Sequence, residues 1–573
     1  MWMTDEGIKR PARRHLGEDF NVEDWSEVKK ALDALLAAKA ESKEDLEDLI
    51  AREFELSSVI SEEMAKRYIE MTRFADVEAN SARFNEFYSG VVSKTEPYSF
   101  KFKKMVFESP YLKELPAKEY GHYINIISND MELFREENIP LKVRESELSN
   151  KYGAINSGLT ADFRGEEKTM SQLSVYLKDG DRSVREEAWR LRMNTMAGVK
   201  GQLDDLFDEM KKVRVEQAAN AGFENYRDFK HKEMGRFSYT PGDLFQFHKA
   251  VEDEVVPFLR ELNEERKAKL GLDVLRPWDT SVDLDGKTLK PFGDTVEFVK
   301  KAVSILSRVK KEYGIRLNRM YNAGLLDLEN RKGKAPGGYN YPLAETGAPF
   351  IFMNSVGLHR DVVTLLHESG HAMHTFASKD IRITPYSHTP SEVAELASMG
   401  MELLTMDKWD EYYSSEEDLK KAQRDELEGT LKFLPWCMTV DAFQHWIYTN
   451  PDHTAEERDE YFASLMDRFN TGVDTSGLEN EKKISWMYQL HIFEVPFYYI
   501  EYGMAQLGAL SVYHNYRTGN PSKAVEAYDS FLGLAYTRPV RDLYEAAGIK
   551  FDFSSSHISE LVDFVKDELK KLT

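Results

Sequence analysis

Apolar residues recur at helical spacing through most of the chain. Between Trp25 and Leu36 the positions Trp25, Val28, Leu32, Leu35 and Leu36 fall on one stripe, the period of an amphipathic helix. The same pattern predicts helices from Leu46 to Phe74, from Ala117 to Arg135, and from about Val184 past Val215. The stretch Tyr152 to Phe163 carries Gly153 and Gly158, with Gly165 just beyond, and reads as loop with a short strand. Pro241-Gly242 and Arg276-Pro277-Trp278-Asp279 mark breaks, and Asp285-Gly286 a polar turn. Between Arg331 and Asn354, Gly333, Pro336, Gly337, Gly338, Pro342, Gly347 and Pro349 forbid a helix, and Phe350-Ile351-Phe352-Met353 predicts a short strand. Long helices dominate the remainder. With no fixed repeat and no flexible linker, the chain divides into an N-terminal helical region, residues 1–180, and a second helical region, residues 181–573. The fold class expected is mainly α.

Composition narrows the partners. The 573 residues carry 76 Lys and Arg against 99 Asp and Glu, a net charge of −23, with 42% hydrophobic residues. That apolar content supports a large core and excludes wholesale disorder. The acidic balance, with basic residues scattered among acids, argues against nucleic acid as a partner. No run approaches the roughly 18 to 20 apolar residues of a membrane span. The N-terminus holds no apolar stretch of signal-peptide length, and the single cysteine, Cys437, forms no internal disulfide. A soluble, cytoplasmic protein is the expectation; the oligomeric state is not legible.

His367-Glu368-Ser369-Gly370-His371 gives the pattern His-Glu-x-x-His. On a helix, positions four apart lie one turn apart on one face, so both imidazoles reach one metal ion. Glu368 stands beside that face, close enough to act on a metal-activated water without being a ligand. About 0.03 such matches arise by chance in a chain of this composition, so coincidence is a weak competitor. The run Asp361 to Ala377 reads as helix, with Val362, Leu366, Gly370, Met373 and Ala377 as its buried stripe and His367, His371 and His374 beside it. Gly370, lacking a side chain, permits close approach of another helix. A zinc site needs a third protein ligand. Glu392, Glu395 and Glu402 follow on one helical segment, and spacing alone does not choose among them.

These residues resemble a known family, the thimet oligopeptidase and oligoendopeptidase F group of zinc metallopeptidases. The resemblance is carried by His367 to His374, by Val393-Ala394-Glu395-Leu396-Ala397-Ser398, by the Gly-rich segment leading to Phe350-Ile351-Phe352-Met353-Asn354, and by His491 to Gly503. It covers most of the chain from about Asp181 onward and is closest to the bacterial oligoendopeptidase F branch. It implies a two-part helical ellipsoid with a deep substrate channel, the metal on its floor and a small sheet beside the active-site helix. It implies one Zn2+ per chain on His367, His371 and Glu395, with Glu368 as general base. Phe350 to Met353 would be an edge strand that pairs with an extended peptide, with Gly337 and Gly338 in a mobile loop above it. Tyr502 is favoured as donor to the oxyanion, assisted by Tyr499 and His491, with Tyr498 as a substrate contact. Glu402, on one face with Glu395, is expected to orient a ligand imidazole; the roles of His374 and His388 stay open.

The function implied is a zinc endopeptidase acting on internal bonds of short unstructured peptides. A dipeptidyl carboxypeptidase on a similar scaffold is the nearest alternative, although no Arg declares itself as anchor for a terminal carboxylate. A non-catalytic peptide-binding scaffold is the other, and the intact set of Glu368, both histidines and Glu395 speaks against it.

Overall fold

In a computed structural model, which describes residues 8–572, helices run through most of the chain. The first stripe forms the helix Trp25–Ala37, capped by Asp24, whose carboxylate accepts from Ser26 N–H. The pattern from Leu46 forms Lys43–Arg73, capped by Ser42, and that from Ala117 forms Ala117–Leu133. The run from Val184 is two helices, Arg182–Gly198 and Lys200–Asn220, broken at Val199.

The loop expected at Tyr152 is a correction. The helix Asn138–Ser157 continues through Tyr152 and Gly153. Tyr152 is buried, and its hydroxyl donates to Met487 O at 2.9 Å. That anchoring outweighs the roughly 1 kcal/mol by which a mid-helix glycine weakens a helix. The short strand exists further on: β1 (Thr160–Phe163) pairs antiparallel with β2 (Glu166–Thr169). Arg164 and Gly165, both at positive φ, form the two-residue turn between them.

A second sheet has the order β3 (Leu326–Glu329), β5 (Ala348–Ser355), β4 (Tyr339–Leu343). β5 is parallel to β3, with Leu326 opposite Ile351, and antiparallel to β4, with Asn340 opposite Ile351. Phe350 to Met353 therefore lie on the central strand, not on the expected edge. All residues from Ala348 to Met353 are buried, and an unbroken apolar run signals a strand covered on both faces. The outer strands are β3 and β4, and on β4 polar Asn340 and Pro342 suit an edge.

The sheet is fixed through a buried acid. Asp327 accepts from Arg73 Nε at 2.7 Å, Arg331 at 2.6 Å and Lys334 Nζ at 2.9 Å. The Gly-rich segment before β4 is tied rather than loose. Ala335 N–H donates to Thr72 O, and Asn354 Nδ2 donates to the carbonyls of Ala335 and Gly337, both at 2.9 Å.

The chain forms two compact units. One comprises the described residues up to Glu132, Leu289–Gln423 and Gly508–Phe551; the other comprises Leu133–Thr288, Arg424–Leu507 and the described residues from Asp552 onward. Residue 180 falls inside the Leu133–Thr288 segment. Among the described residues no helix is long and apolar enough to cross a membrane.

Candidate metal centre

The His-Glu-x-x-His residues sit on the helix His359–Ser378, hereafter the histidine helix. Asp361 anchors its start by accepting from Val356 N–H at 2.8 Å and Leu358 N–H at 2.9 Å, a carboxylate where the helix dipole favours one. Val362, Leu365, Leu366, Ala372 and Met373 are buried along one side; Ala377, expected on that stripe, is only partly covered. The three acids left open by spacing lie on the helix Ser391–Thr405, the glutamate helix.

Gly370 lets these two helices touch backbone to backbone. A Cβ built there would stand 2.3 Å from Ala397 O and 2.6 Å from Ser398 Cα. From behind, the Tyr528 hydroxyl donates to Ala397 O, and the Tyr528 ring lies against Gly400. This contact brings Glu395 onto the histidine pair. The His367 and His371 rings are 5.0 Å apart. Glu395 Oε2 is 3.3 Å from His367 Nε2 and 3.7 Å from His371 Nε2. One donor atom from each of the three residues lies within 4.8 Å of the others. Glu402 goes elsewhere, to His367 Nδ1 at 2.5 Å. Glu392 is buried, and its carbonyl accepts from the Tyr544 hydroxyl at 2.9 Å.

Two further neighbours, outside the residues the motif points to, touch the site. Ser398 Oγ donates to Glu395 Oε2 at 2.9 Å, one helical turn beyond it. Asn340 on β4 donates to Glu368 O at 3.3 Å. The first was legible as an i, i+3 spacing; the second depends on how the sheet packs.

The electrostatics suit a cation. Burial pushes the Glu368 carboxyl up to about 7, and its Oε2 is buried without a hydrogen-bond partner among the described residues. Burial alone would raise Glu395, but its contacts with His367, His371 and Ser398 bring it down to about 2. Burial lowers His371 to about 4, keeping it neutral with a lone pair to offer. Burial also opposes a proton on His367, yet Glu395 and Glu402 outweigh it and raise that imidazole well above its ordinary value. A dication would take the place of that proton. Two imidazole nitrogens and a carboxylate oxygen are a donor set that zinc accepts. The residues present fit such an ion.

Of the other expected residues, Gly337 has φ +99, with open space where a side chain would be, and Gly338 packs against Phe352 O. His374 is buried, 6.0 Å from the Phe531 ring, and His388 Nδ1 stands 3.0 Å from Thr384 O. His491, Tyr498, Tyr499 and Tyr502 form an aromatic cluster in the second unit. The His491 ring lies 6.0, 4.7 and 6.2 Å from those of Tyr498, Tyr499 and Tyr502. Burial holds the His491 imidazole down to about 4. A strained turn precedes the tyrosines. Phe497 has φ +66, and a side chain in that region needs its surroundings to hold it. Gln444 Oε1 accepts from Phe497 N–H at 2.8 Å, and Arg236 bonds both Phe497 O and Glu501.

Known proteins are similar to this chain in sequence and in fold. The model for "Peptidase family M3" matches residues 175–562. Group B oligopeptidase PepB of Streptococcus agalactiae is 22% identical over 82% of this chain and 81% of its own. Oligopeptidase PepF of Bacillus subtilis is 22% identical over 92% of this chain and 82% of its own. The solved structure of PZ peptidase A with an inhibitor superposes with a TM-score of 0.86 and 25% identity, covering 96% of this chain and 98% of that one. The oligoendopeptidase F of Enterococcus faecium, 17% identical over 96% of this chain and 97% of that one, shares the fold at a TM-score of 0.64. The family match spans both helices that carry the three-donor set as well as the tyrosine segment, so the chain belongs to peptidase family M3 and is a metallo-oligopeptidase.

Proposed function

We propose that the chain is a zinc-dependent endopeptidase, with one zinc held by His367, His371 and Glu395, that hydrolyses internal bonds of short unstructured peptides. The chemistry zinc supplies when bound is Lewis-acid polarisation of the scissile carbonyl and acidification of water to near neutrality. The protein's own part is proton handling. Glu368 takes the proton of the attacking water at Oε2 and returns it to the leaving amine. The observation that carries this role is Glu368 Oε2, buried without a hydrogen-bond partner among the described residues and one residue from His367. Glu402 accepts from His367 Nδ1–H, which leaves Nε2 unprotonated for the metal.

β4 pairs with β5 only, so its other edge has no strand partner among the described residues, which supports strand addition by an extended peptide. Gly337 and Gly338, just before β4, contact that peptide. Tyr502 as oxyanion donor, Tyr499 and His491 as its assistants and Tyr498 as a substrate contact rest on the sequence resemblance. The single buried cysteine supports a reducing, cytoplasmic setting.

The test is cleavage of an internally quenched peptide blocked at both ends, by wild type and Glu368→Gln, before and after chelation. The variant should keep its zinc and lose turnover by at least about 100-fold. Blocked ends exclude a carboxypeptidase requirement. A zinc-loaded wild type that cleaves no such peptide refutes the reading.

A further inference from the structure

A cavity of about 570 Å³ opens beside the metal-binding face, lined entirely by residues of the first unit. Tyr341 and Leu343 of β4 and His374 and Ser378 of the histidine helix form one wall, and the Trp25–Ala37 and Lys43–Arg73 helices form another. Most of its surface is apolar. Within that lining stands one carboxylate, Glu53.

Glu53 is satisfied only by neutral donors. Oε1 accepts from Ser57 Oγ at 2.7 Å and Oε2 from Thr384 Oγ1 at 2.6 Å. Among the described residues no base pairs with it. Lys103 and His388 act on it only through space; Lys103 is bound to Asp130 at 2.6 Å, and His388, like Lys379, stands elsewhere in the cavity lining. A carboxylate offers about four lone-pair positions, so two are left unfilled by donors among the described residues, on a side chain that lines the cavity. Burial pushes the Glu53 carboxyl above its ordinary value, since desolvation disfavours the charged form until a cation meets it. Structural carboxylates in apolar surroundings are paired; one left unpaired in a cleft is a recognition candidate.

The position relates the cavity to the reaction. His374 and Ser378 follow the ligand His371 by three and seven residues, about 4.5 to 10 Å along the helix. An extended peptide advances about 3.3 Å per residue. A side chain entering this cavity thus belongs to a residue within about three of the scissile bond. An occupant with a long apolar stem and a cationic tip matches the lining, the stem along the walls and the tip at the acid.

We propose that this cavity is the subsite for a basic side chain of the peptide substrate, arginine above all, and that Glu53 reads its charge. The proposal rests on the peptidase reading above. Arginine's planar fork fills the two open positions of the carboxylate, while Ser57 and Thr384 hold its other two.

The test uses quenched peptides blocked at both ends, carrying arginine or its uncharged isostere citrulline at each position within about three residues of the scissile bond. Zinc-loaded wild type and Glu53→Gln are compared by the ratio of kcat/KM for the two peptides. At one position wild type should prefer arginine by at least about tenfold, and the ratio should fall close to one in Glu53→Gln. Equal cleavage of both peptides at every position, by an enzyme that does cleave them, overturns the proposal and leaves the peptidase reading standing. A preference that survives Glu53→Gln undiminished also overturns it, and assigns the effect to the net negative charge. Cleavage of neither peptide by wild type sinks the peptidase reading and this proposal with it. Should Glu53→Gln fail to fold, Glu53→Asp, which keeps the charge but withdraws it by one methylene, takes its place and must lower the wild-type ratio. An arginine preference in that variant equal to that of wild type overturns the proposal.

Discussion

Replacing Gly370 by Ala tests the helix contact on which the proposed metal centre depends. The added methyl would lie 2.3 Å from Ala397 O, 2.6 Å from Ser398 Cα and 3.0 Å from Ala397 C, all backbone atoms. Relief requires the glutamate helix to withdraw by about 1 Å, since comfortable contacts lie near 3.5 Å. Tyr528 blocks that retreat, with its hydroxyl on Ala397 O and its ring against Gly400. Overpacking of this kind costs about 1 to 3 kcal/mol, against about 1 kcal/mol gained in helix propensity, so the apoprotein should be destabilised. The larger effect falls on the site. Glu395 lies two residues before Ala397, and ligand distances tolerate only about 0.2 Å. Zinc affinity should fall by more than the roughly 10- to 100-fold that accompanies loss of an outer partner. Competition with a chromophoric chelator measures the affinity, and thermal melts of the metal-free proteins measure the stability. Gly429→Ala is the control. Gly429 sits in the helix Glu416–Lys432 with nothing within 4 Å of a built Cβ, so that change should stabilise by about 1 kcal/mol without altering zinc affinity. A Gly370→Ala protein as stable as wild type and binding zinc as tightly would refute the packing argument.

Glu402→Gln should weaken zinc binding by about 10- to 100-fold, because a neutral amide holds the His367 Nδ1 proton less firmly than a carboxylate; unchanged affinity and turnover would remove Glu402 from the site. His122, buried against Tyr386 and Tyr536, is pushed by burial from 6.5 down to about 4. The unfolded chain therefore binds a proton between those values that the folded chain refuses, and stability falls as pH drops from 6.5 toward 4. At 1.36 kcal/mol per pH unit this reaches up to about 3 kcal/mol. Denaturant melts across that range should show His122→Phe losing less stability with acid than wild type, and parallel pH profiles would contradict the assignment.

Much of the local structure was legible because periodicity and capping act within a few residues. The stripe from Trp25 and the run from Asp361 each became a helix of nearly the expected extent. The histidine spacing placed His367 and His371 on one face, a relation that helix geometry alone imposes. At Tyr152 local signals misled. Two glycines suggested a loop, and burial of Tyr152 against Met487 O kept the helix intact.

Relations between distant segments were decided elsewhere. Phe350 to Met353 read correctly as a strand, but whether it was central or edge depended on β3 and β4. Among Glu392, Glu395 and Glu402, helical spacing offered no choice. The crossing at Gly370 turned Glu395 toward both imidazoles and Glu402 toward the far nitrogen of one. Glu53 carried no signal at all, being one acid among 99 Asp and Glu; its isolation exists only because apolar walls from separate helices close around it. By itself the sequence determined the helices, the metal-binding motif and the chemistry the chain can support, since these follow from side-chain identity and the pitch of one helix. Which acid lies against the two histidines, which strand keeps an unpaired edge and which carboxylate lacks a basic partner among the described residues were decided by tertiary packing, because a distance between two helices is a property of neither one.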